Sequence, residues 1–297
     1  MPRYSRRDVI KTGIAAGALA ALSDLPLAAE PPQSGTQTAA SWVTLGHSNV
    51  KVTRLAFGTG SFNGEVQRSV GQEGFNRLVR HAYDNGVRFF ETAQSYGDMH
   101  RMLGIALKGI PRDSYALMSK MDTFGDADPL STIDNLRRTA QTDYFDIMLL
   151  HWQHTADWPE SSKRFQEGIE AAQHKKMVVS RGCSVHGLPA LRQVPDMSWL
   201  QVAMIRCNHK GSHMDAESYG SNSGNVDEVV HHIQQVRAKG MGVISMKLVG
   251  EGSFDREDRA RAMRFAFRNA GVDSVTVGYK STAEIDEAID NVNRAFA

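Results

Sequence analysis

The chain has 297 residues, 41% of them hydrophobic and 23% charged, with a formal net charge of +1. That much apolar material fills a large core, and a near-neutral balance without a basic stripe excludes a nucleic-acid-binding face. Two cysteines, Cys183 and Cys207, exclude a disulfide framework; they read as two buried thiols or, in an oxidising compartment, as one bridge.

The N-terminus reads as an address. Ser5-Arg6-Arg7-Asp8-Val9-Ile10-Lys11 precedes the Ala/Gly/Leu-rich run Thr12–Leu22, the order of a twin-arginine signal peptide. The run is too short to cross a bilayer core of ~30 Å as a helix. Residues 1–29 are expected to be removed after Ala29, with Ala40 as the alternative site. Removal takes the net charge from +1 to −1. The expected setting is the periplasm, reached through the twin-arginine export machinery, with no stable membrane insertion after cleavage. Residues 30–41, rich in Pro, Gln, Ser and Thr, read as a disordered lead.

Residues 42–297 carry the folded domain. Trp42–Leu45 and Val50–Val52, joined across His47-Ser48-Asn49, predict a hairpin. Eight short apolar runs then alternate with segments of 3.6-residue periodicity: 53–58, 88–92, 115–120, 144–152, 177–184, 200–208, 242–247 and 274–278. Ser131 and Asn225 stand where helix caps are expected. This alternation, with no break in composition, predicts one (β/α)8 TIM barrel. A doubly wound sheet fits less well, because Gly58-Thr59-Gly60 lacks the third glycine of a dinucleotide turn.

In such a barrel the active site lies at the carboxyl ends of the strands. The second run ends in Glu91 with Tyr96 in the loop behind it, the third in Lys120, the fourth in His151-Trp152. A phenol is a poor acid near neutral pH. A neighbouring ammonium would lower its pKa, the carboxylate would hold the ammonium, and the imidazole would donate a hydrogen bond to a substrate carbonyl.

These residues resemble the aldo-keto reductases. The family's G-x-[RK]-x-x-D-T-A-x-x-Y-G appears as Gly86-Val-Arg88-Phe-Phe-Glu91-Thr92-Ala93-Gln-Ser-Tyr96-Gly97, followed by Lys120 and by His151 in "DIMLLHW". The aspartate is Glu91 here, which keeps the charge and adds a methylene. The resemblance implies NADPH-dependent interconversion of an aldehyde or ketone with its alcohol. By it Tyr96 is the proton donor, Lys120 and Glu91 tune it, and His151 orients substrate.

It also implies a nicotinamide platform of Ser184, Met204, Met246 and Lys247. A pyrophosphate loop would carry Gly250 and Gly252. A phosphate site favouring NADP would be formed by Gly278, Lys280 and Ser281, with Glu284 beside it. Trp152 and Trp158 are expected as substrate-pocket walls, and the polar loop His209–Gly224 as a lid. The histidine pairs His209/His213 and His231/His232 lack partner clusters, so no metal site is expected. The alternative reading is a catalytically impaired barrel that binds a periplasmic ligand or partner.

Overall fold

The computed structural model describes residues 36–218 and 223–297. The signal-peptide reading of residues 1–29 lies outside them, as do residues 219–222 of the expected lid.

Strands β1 (Trp42–Thr44) and β2 (Lys51–Thr53) pair antiparallel as the expected hairpin. Eight parallel strands follow: β3 (Leu55–Gly58), β4 (Phe89–Glu91), β5 (Ala116–Met121), β6 (Phe145–Gln153), β7 (Val178–Val185), β8 (Val202–Arg206), β9 (Gly242–Met246) and β10 (Ser274–Gly278). They close into a barrel in which β10 pairs with β3. The fold is therefore the (β/α)8 TIM barrel the alternation predicts.

The helices are α1 (Glu65–Ser69), α2 (Gly71–Asp84), α3 (Met99–Leu107), α4 (Pro129–Thr139), α5 (Trp158–Ser161), α6 (Lys163–His174), α7 (Leu188–Leu191), α8 (Val226–Ala238), α9 (Arg256–Phe265) and α10 (Thr282–Phe296). Their starts follow capping chemistry. Asn225 accepts from Glu228 N at 3.2 Å, and Asp255 from Asp258 N at 2.8 Å. At α4 the cap is Asp128, with Pro129 in the first turn; Ser131, expected as the cap, instead donates its N–H to Asp128 at 2.8 Å.

Two apolar layers result from the two-residue period of the strands. Ala56, Phe89, Ala116, Met118, Ile147, Leu149, Val202, Met204 and Ile244 point into the barrel, where Leu45, Val50 and Val52 from the hairpin close the lower end. The neighbouring residues, such as Phe57, Phe90, Leu117 and Leu150, face the helices, with Cys183 and Cys207 among them. Both cysteines are buried free thiols.

The end of the lead is ordered, which corrects the expectation of disorder for residues 38–41. Ser41 N bonds Thr38 O at 3.0 Å. Ala39 is buried, donates to Asn293 Oδ1 of α10 at 2.8 Å and accepts from Leu55 N at 3.1 Å. This segment ties the start of the domain to the last helix.

Candidate active site

The same two-residue period that builds the inner layer builds the site above it. Glu91 follows Phe89, Lys120 follows Met118, His151 follows Leu149 and Arg206 follows Met204, each two residues on and therefore on the inner side. One further step past Lys120 is Asp122. At His151 the ladder to β7 shifts register between Leu150 and Gln153, and Trp152 adopts φ 62°. Such an irregularity re-aims side chains at a barrel rim. Ser184 Oγ accepts from Trp152 N at 3.0 Å and holds this turn.

Lys120 is fully buried (0% exposed). Its ammonium meets three acceptors, one per N–H: Glu91 Oε1 in direct contact, Thr92 O at 3.3 Å and Tyr96 Oη at 3.2 Å. Its Nζ also stands 4.7 Å from the Tyr96 ring centroid. Burial, then the positive charge of Lys247, push the Lys120 pKa well below the ordinary lysine value, and Asp122 opposes them.

The extra methylene of Glu91 is accommodated locally. Glu91 pairs with Gly58 across β3 and β4. A Cβ on Gly58 would lie 2.8 Å from Thr276 Oγ1 and 3.1 Å from Glu91 Oε2. Glycine leaves the space the longer side chain occupies. Gly60 does the same for the phenol: a Cβ there would lie 2.6 Å from Tyr96 Oη.

The expectation that Lys120 lowers the Tyr96 pKa is corrected for the protein without bound ligand. Burial first, then the negative charges of Asp122 and Glu251, raise it above the ordinary phenol value. Tyr96 thus holds its proton throughout the physiological range. With Lys120 donating to its oxygen, the phenolic hydrogen is left for a group in the cavity.

His151 packs edge-to-face on Tyr96, centroids 5.6 Å apart. Its Nδ1 lies 2.9 Å from Asp122 Oδ1 and 3.2 Å from Ser95 Oγ. Burial lowers its pKa; the hydrogen bond to Asp122 opposes this and the charge of Lys120 adds to it. A carboxylate only accepts, so the proton of the neutral ring sits on Nδ1. His151 Nε2 has no hydrogen-bond partner among the described residues.

Three adjoining cavities meet at this rim. One of about 400 Å³ is walled by Tyr96, Asp122, His151, Trp152, His186 and Arg206, among others. A throat of about 80 Å³ lies against Glu91, Tyr96, Met204, Met246, Lys247 and Gly278. A third of about 430 Å³ runs between the turn Gly250–Gly252 and the start of α10, past Arg259, Lys280, Glu284 and Glu287. Glu251 borders all three and is ion-paired with Lys247.

The second and third cavities share Ser61, Val249, Glu251, Val277 and Gly278 and so form one groove; Gly278 keeps it open, since a Cβ there would meet Ser61 Oγ at 2.3 Å. Its lining carries three cationic side chains, Lys247, Arg259 and Lys280, and four carboxylates, Glu91, Glu251, Glu284 and Glu287. Its wide part, about 430 Å³, lies at α10, and it narrows to the 80 Å³ throat beside Tyr96.

Several expected contacts are placed differently. Trp158 is not a pocket wall: it is 1% exposed at the start of α5, and its Nε1 donates to Ala190 O at 3.1 Å. Ser184 is buried beneath Trp152 and lines none of the three cavities. Ser281 caps α10 by accepting from Glu284 N at 3.3 Å, while the Glu284 carboxylate accepts from Lys280 N at 2.8 Å. The amide of Lys280, a residue of the expected phosphate site, is thus satisfied within the helix cap, as is that of Glu284. Gly250 packs against Phe254, and Gly252 opens to the third cavity. Among the described residues no group of histidine, cysteine and carboxylate side chains is arranged to hold a metal.

Sequence reasoning missed Asp122, Ser95, His186, Arg206 and Glu251. Asp122 had a readable signal, since it stands two residues past Lys120 and so shares its side of the strand. Arg206 had another, a lone charge inside the apolar run "VAMIRCN".

Known proteins resemble this chain in sequence and in fold. The profile described as "Aldo/keto reductase family" matches residues 54–263. L-Galactose dehydrogenase of Arabidopsis thaliana is 24% identical over 82% of this chain and 86% of its own length. Two solved structures share the fold. The holo form of an aldo-keto reductase from Bacillus halodurans has TM-score 0.66, 16% identity, and coverage of 86% of this chain and 94% of its own. An aldo-keto reductase from Klebsiella pneumoniae, in complex with NADPH, has TM-score 0.67, 16% identity, and coverage of 87% and 90%.

Proposed function

This chain belongs to the aldo/keto reductase family of carbonyl/alcohol oxidoreductases, and from that premise we propose that it is an exported, NADPH-dependent enzyme in which Tyr96 is the general acid. The observation that carries the reading is the Glu91–Lys120–Tyr96 chain of contacts at the barrel mouth.

Met204, Met246 and Lys247 would hold the nicotinamide half of the cofactor, Gly252 and Gly278 the pyrophosphate, and Lys280 an adenosine 2′-phosphate. The Lys280 side chain is 69% exposed at the open end of the groove, which suits a phosphate approaching from solvent. Bound NADPH would supply a hydride to the carbonyl carbon. The Tyr96 hydroxyl gives its proton to the carbonyl oxygen, completing the alcohol. Lys120, donating at 3.2 Å, stabilises the phenolate that remains. Glu91 keeps the ammonium in place, since a buried cation without its partner is strongly destabilising. Oxidation of an alcohol is the reverse of these transfers. The Klebsiella relative's complex with NADPH supports this choice of cofactor, and the twin-arginine pattern supports the periplasmic setting.

The test is fluorescence titration of residues 30–297 with NADPH. Saturable binding below about 100 µM, roughly −5.5 kcal/mol, is expected. No binding at that concentration contradicts the reading. A retained ligand that is not a nucleotide would favour a binding protein instead.

A further inference from the structure

We propose that Ser184 and Gln153 are positioning residues: they hold the one peptide that joins His151 to Trp152, and so aim both side chains into the cavity that Tyr96 borders. The kinetic part of this rests on the reading of that cavity as the site of carbonyl reduction.

A regular strand cannot place these two residues together. Its successive side chains point to opposite faces, yet His151 and its neighbour Trp152 both line the 400 Å³ cavity. A bulge resolves the conflict. Leu150 is in register with Cys183 and Gln153 with Val185, so His151 and Trp152 together stand opposite the single residue Ser184. Two residues facing one is the pattern of a β-bulge, which bends the strand and re-aims side chains.

The bulge is strained. Trp152 adopts φ 62°, and the left-handed region is disfavoured for a bulky L-residue. Such a conformation persists where its surroundings fix it. Here each polar group of the 151–152 peptide meets a side chain. Trp152 N donates to Ser184 Oγ at 3.0 Å, and His151 O accepts from Gln153 Nε2 at 2.6 Å. The Gln153 amide also donates to Thr123 Oγ1 at 3.0 Å. Thr123 follows Asp122, whose carboxylate lies 2.9 Å from His151 Nδ1. The backbone and the ring of His151 are therefore fixed from the same loop after β5.

Neither clamp reaches the cavity itself. Ser184 is 0% and Gln153 4% exposed, and both are absent from the walls of all three cavities. They act only through the peptide they hold. Ser184, expected beside the nicotinamide, thus serves the other side of the site.

Two measurements test this. The first needs no turnover. With nitrogen-15 in tryptophan alone the protein gives four backbone amide signals, and that of Trp152 is the one lost in Trp152→Phe. In Ser184→Ala the Trp152 amide should exchange with solvent about tenfold faster, with the other three unchanged. In Gln153→Leu, which keeps the volume and removes the donor, the same signal should shift. A Trp152 amide unaltered in both variants overturns the proposal.

The second is kinetic, with glycolaldehyde as the probe carbonyl. Misplacement of a reacting group is expensive, so kcat/KM should fall by about 10- to 100-fold in Ser184→Ala and in Gln153→Leu, with NADPH affinity within about threefold of the unaltered protein. Glycine adopts positive φ freely, so in a Trp152→Gly background the further loss from Ser184→Ala should shrink to within about threefold. An equal loss in that background means a packing defect and contradicts the positioning role. A fall in NADPH affinity that matches the fall in kcat/KM, with the Trp152 amide unmoved, assigns Ser184 to the nucleotide and overturns the proposal. If the unaltered protein binds NADPH and reduces no carbonyl, the reductase reading fails, and the amide result decides the clamp by itself.

Discussion

Gly58 and Glu91 are partners in register across two parallel strands, and the absent Cβ of the first is the space into which the carboxylate of the second extends. The two residues should therefore be coupled. Gly58→Ala brings a methyl to 3.1 Å from Glu91 Oε2 and should destabilise the fold by about 1–3 kcal/mol through overpacking. Glu91→Asp withdraws the carboxylate and relieves that contact. Urea denaturation of the four-member cycle should give a coupling of about 0.5–3 kcal/mol with the double variant better than additive. Additive effects would show that Gly58 does not make room for Glu91.

His100 gives a pH prediction. It is buried on α3, with Nε2 2.8 Å from Ser119 Oγ, and burial pushes its pKa down to about 4. Its folded pKa lies below the unfolded value, so the unfolded chain binds more protons between about pH 6.5 and 4. Its contribution is full above that window and is lost as pH falls, by up to about 3 kcal/mol. Asp215 works in the opposite sense: burial raises it to about 6, so its contribution is present at low pH and is lost as pH rises through that value. His100→Gln keeps a polar group but cannot titrate. The difference in urea stability between it and the unaltered protein should therefore change across pH 6.5 to 4, and a constant difference would contradict the assignment.

Glu251 borders all three cavities and holds Lys247 in an ion pair. Replacing it by glutamine removes one negative charge from the groove and frees Lys247. Glu251→Gln should tighten NADPH binding by about tenfold, mostly through faster association that weakens with added salt. Unchanged affinity at low salt would remove Glu251 from the nucleotide path.

The ordered segment before β1 favours the proposed cleavage after Ala29 over that after Ala40. Cleavage after Ala40 would delete Ala39, with its bonds to Asn293 and to Leu55. A chain starting at residue 41 should be less stable than one starting at residue 30 by about 1–3 kcal/mol. Intact-mass measurement of protein recovered from the periplasm tests the proposed export, with an N-terminus at residue 30 expected and one at residue 41 contradicting the proposed site.

How much of this was legible follows from what each residue does. Glu91, Lys120 and His151 stand out because a buried parallel strand is largely apolar, so an ionisable residue at its carboxyl end marks the rim. Asp122 lies beyond the strand, where an isolated aspartate reads as a turn; only the alternation with Lys120 marks it. The contact of His151 with Asp122 spans 29 residues, which no local pattern encodes. Trp158, followed by Pro159, reads as a loop aromatic, yet it starts a one-turn helix and is buried against α7. Likewise Ser281 and Glu284 carry both a phosphate-site and a capping-box signature, and only coordinates separate the two.

The central claim is that Tyr96 delivers the proton while the rest of the site binds and orients. Tyr96→Phe removes one oxygen and leaves Lys120 with Glu91 and Thr92 as partners. The direct measurement is single-turnover loss of nicotinamide absorbance with saturating NADPH and glycolaldehyde, made beside an NADPH titration of the same variant. The account predicts hydride transfer slowed by about 10²–10⁴-fold with NADPH affinity within about threefold of the unaltered protein. Transfer at an undiminished rate would contradict it.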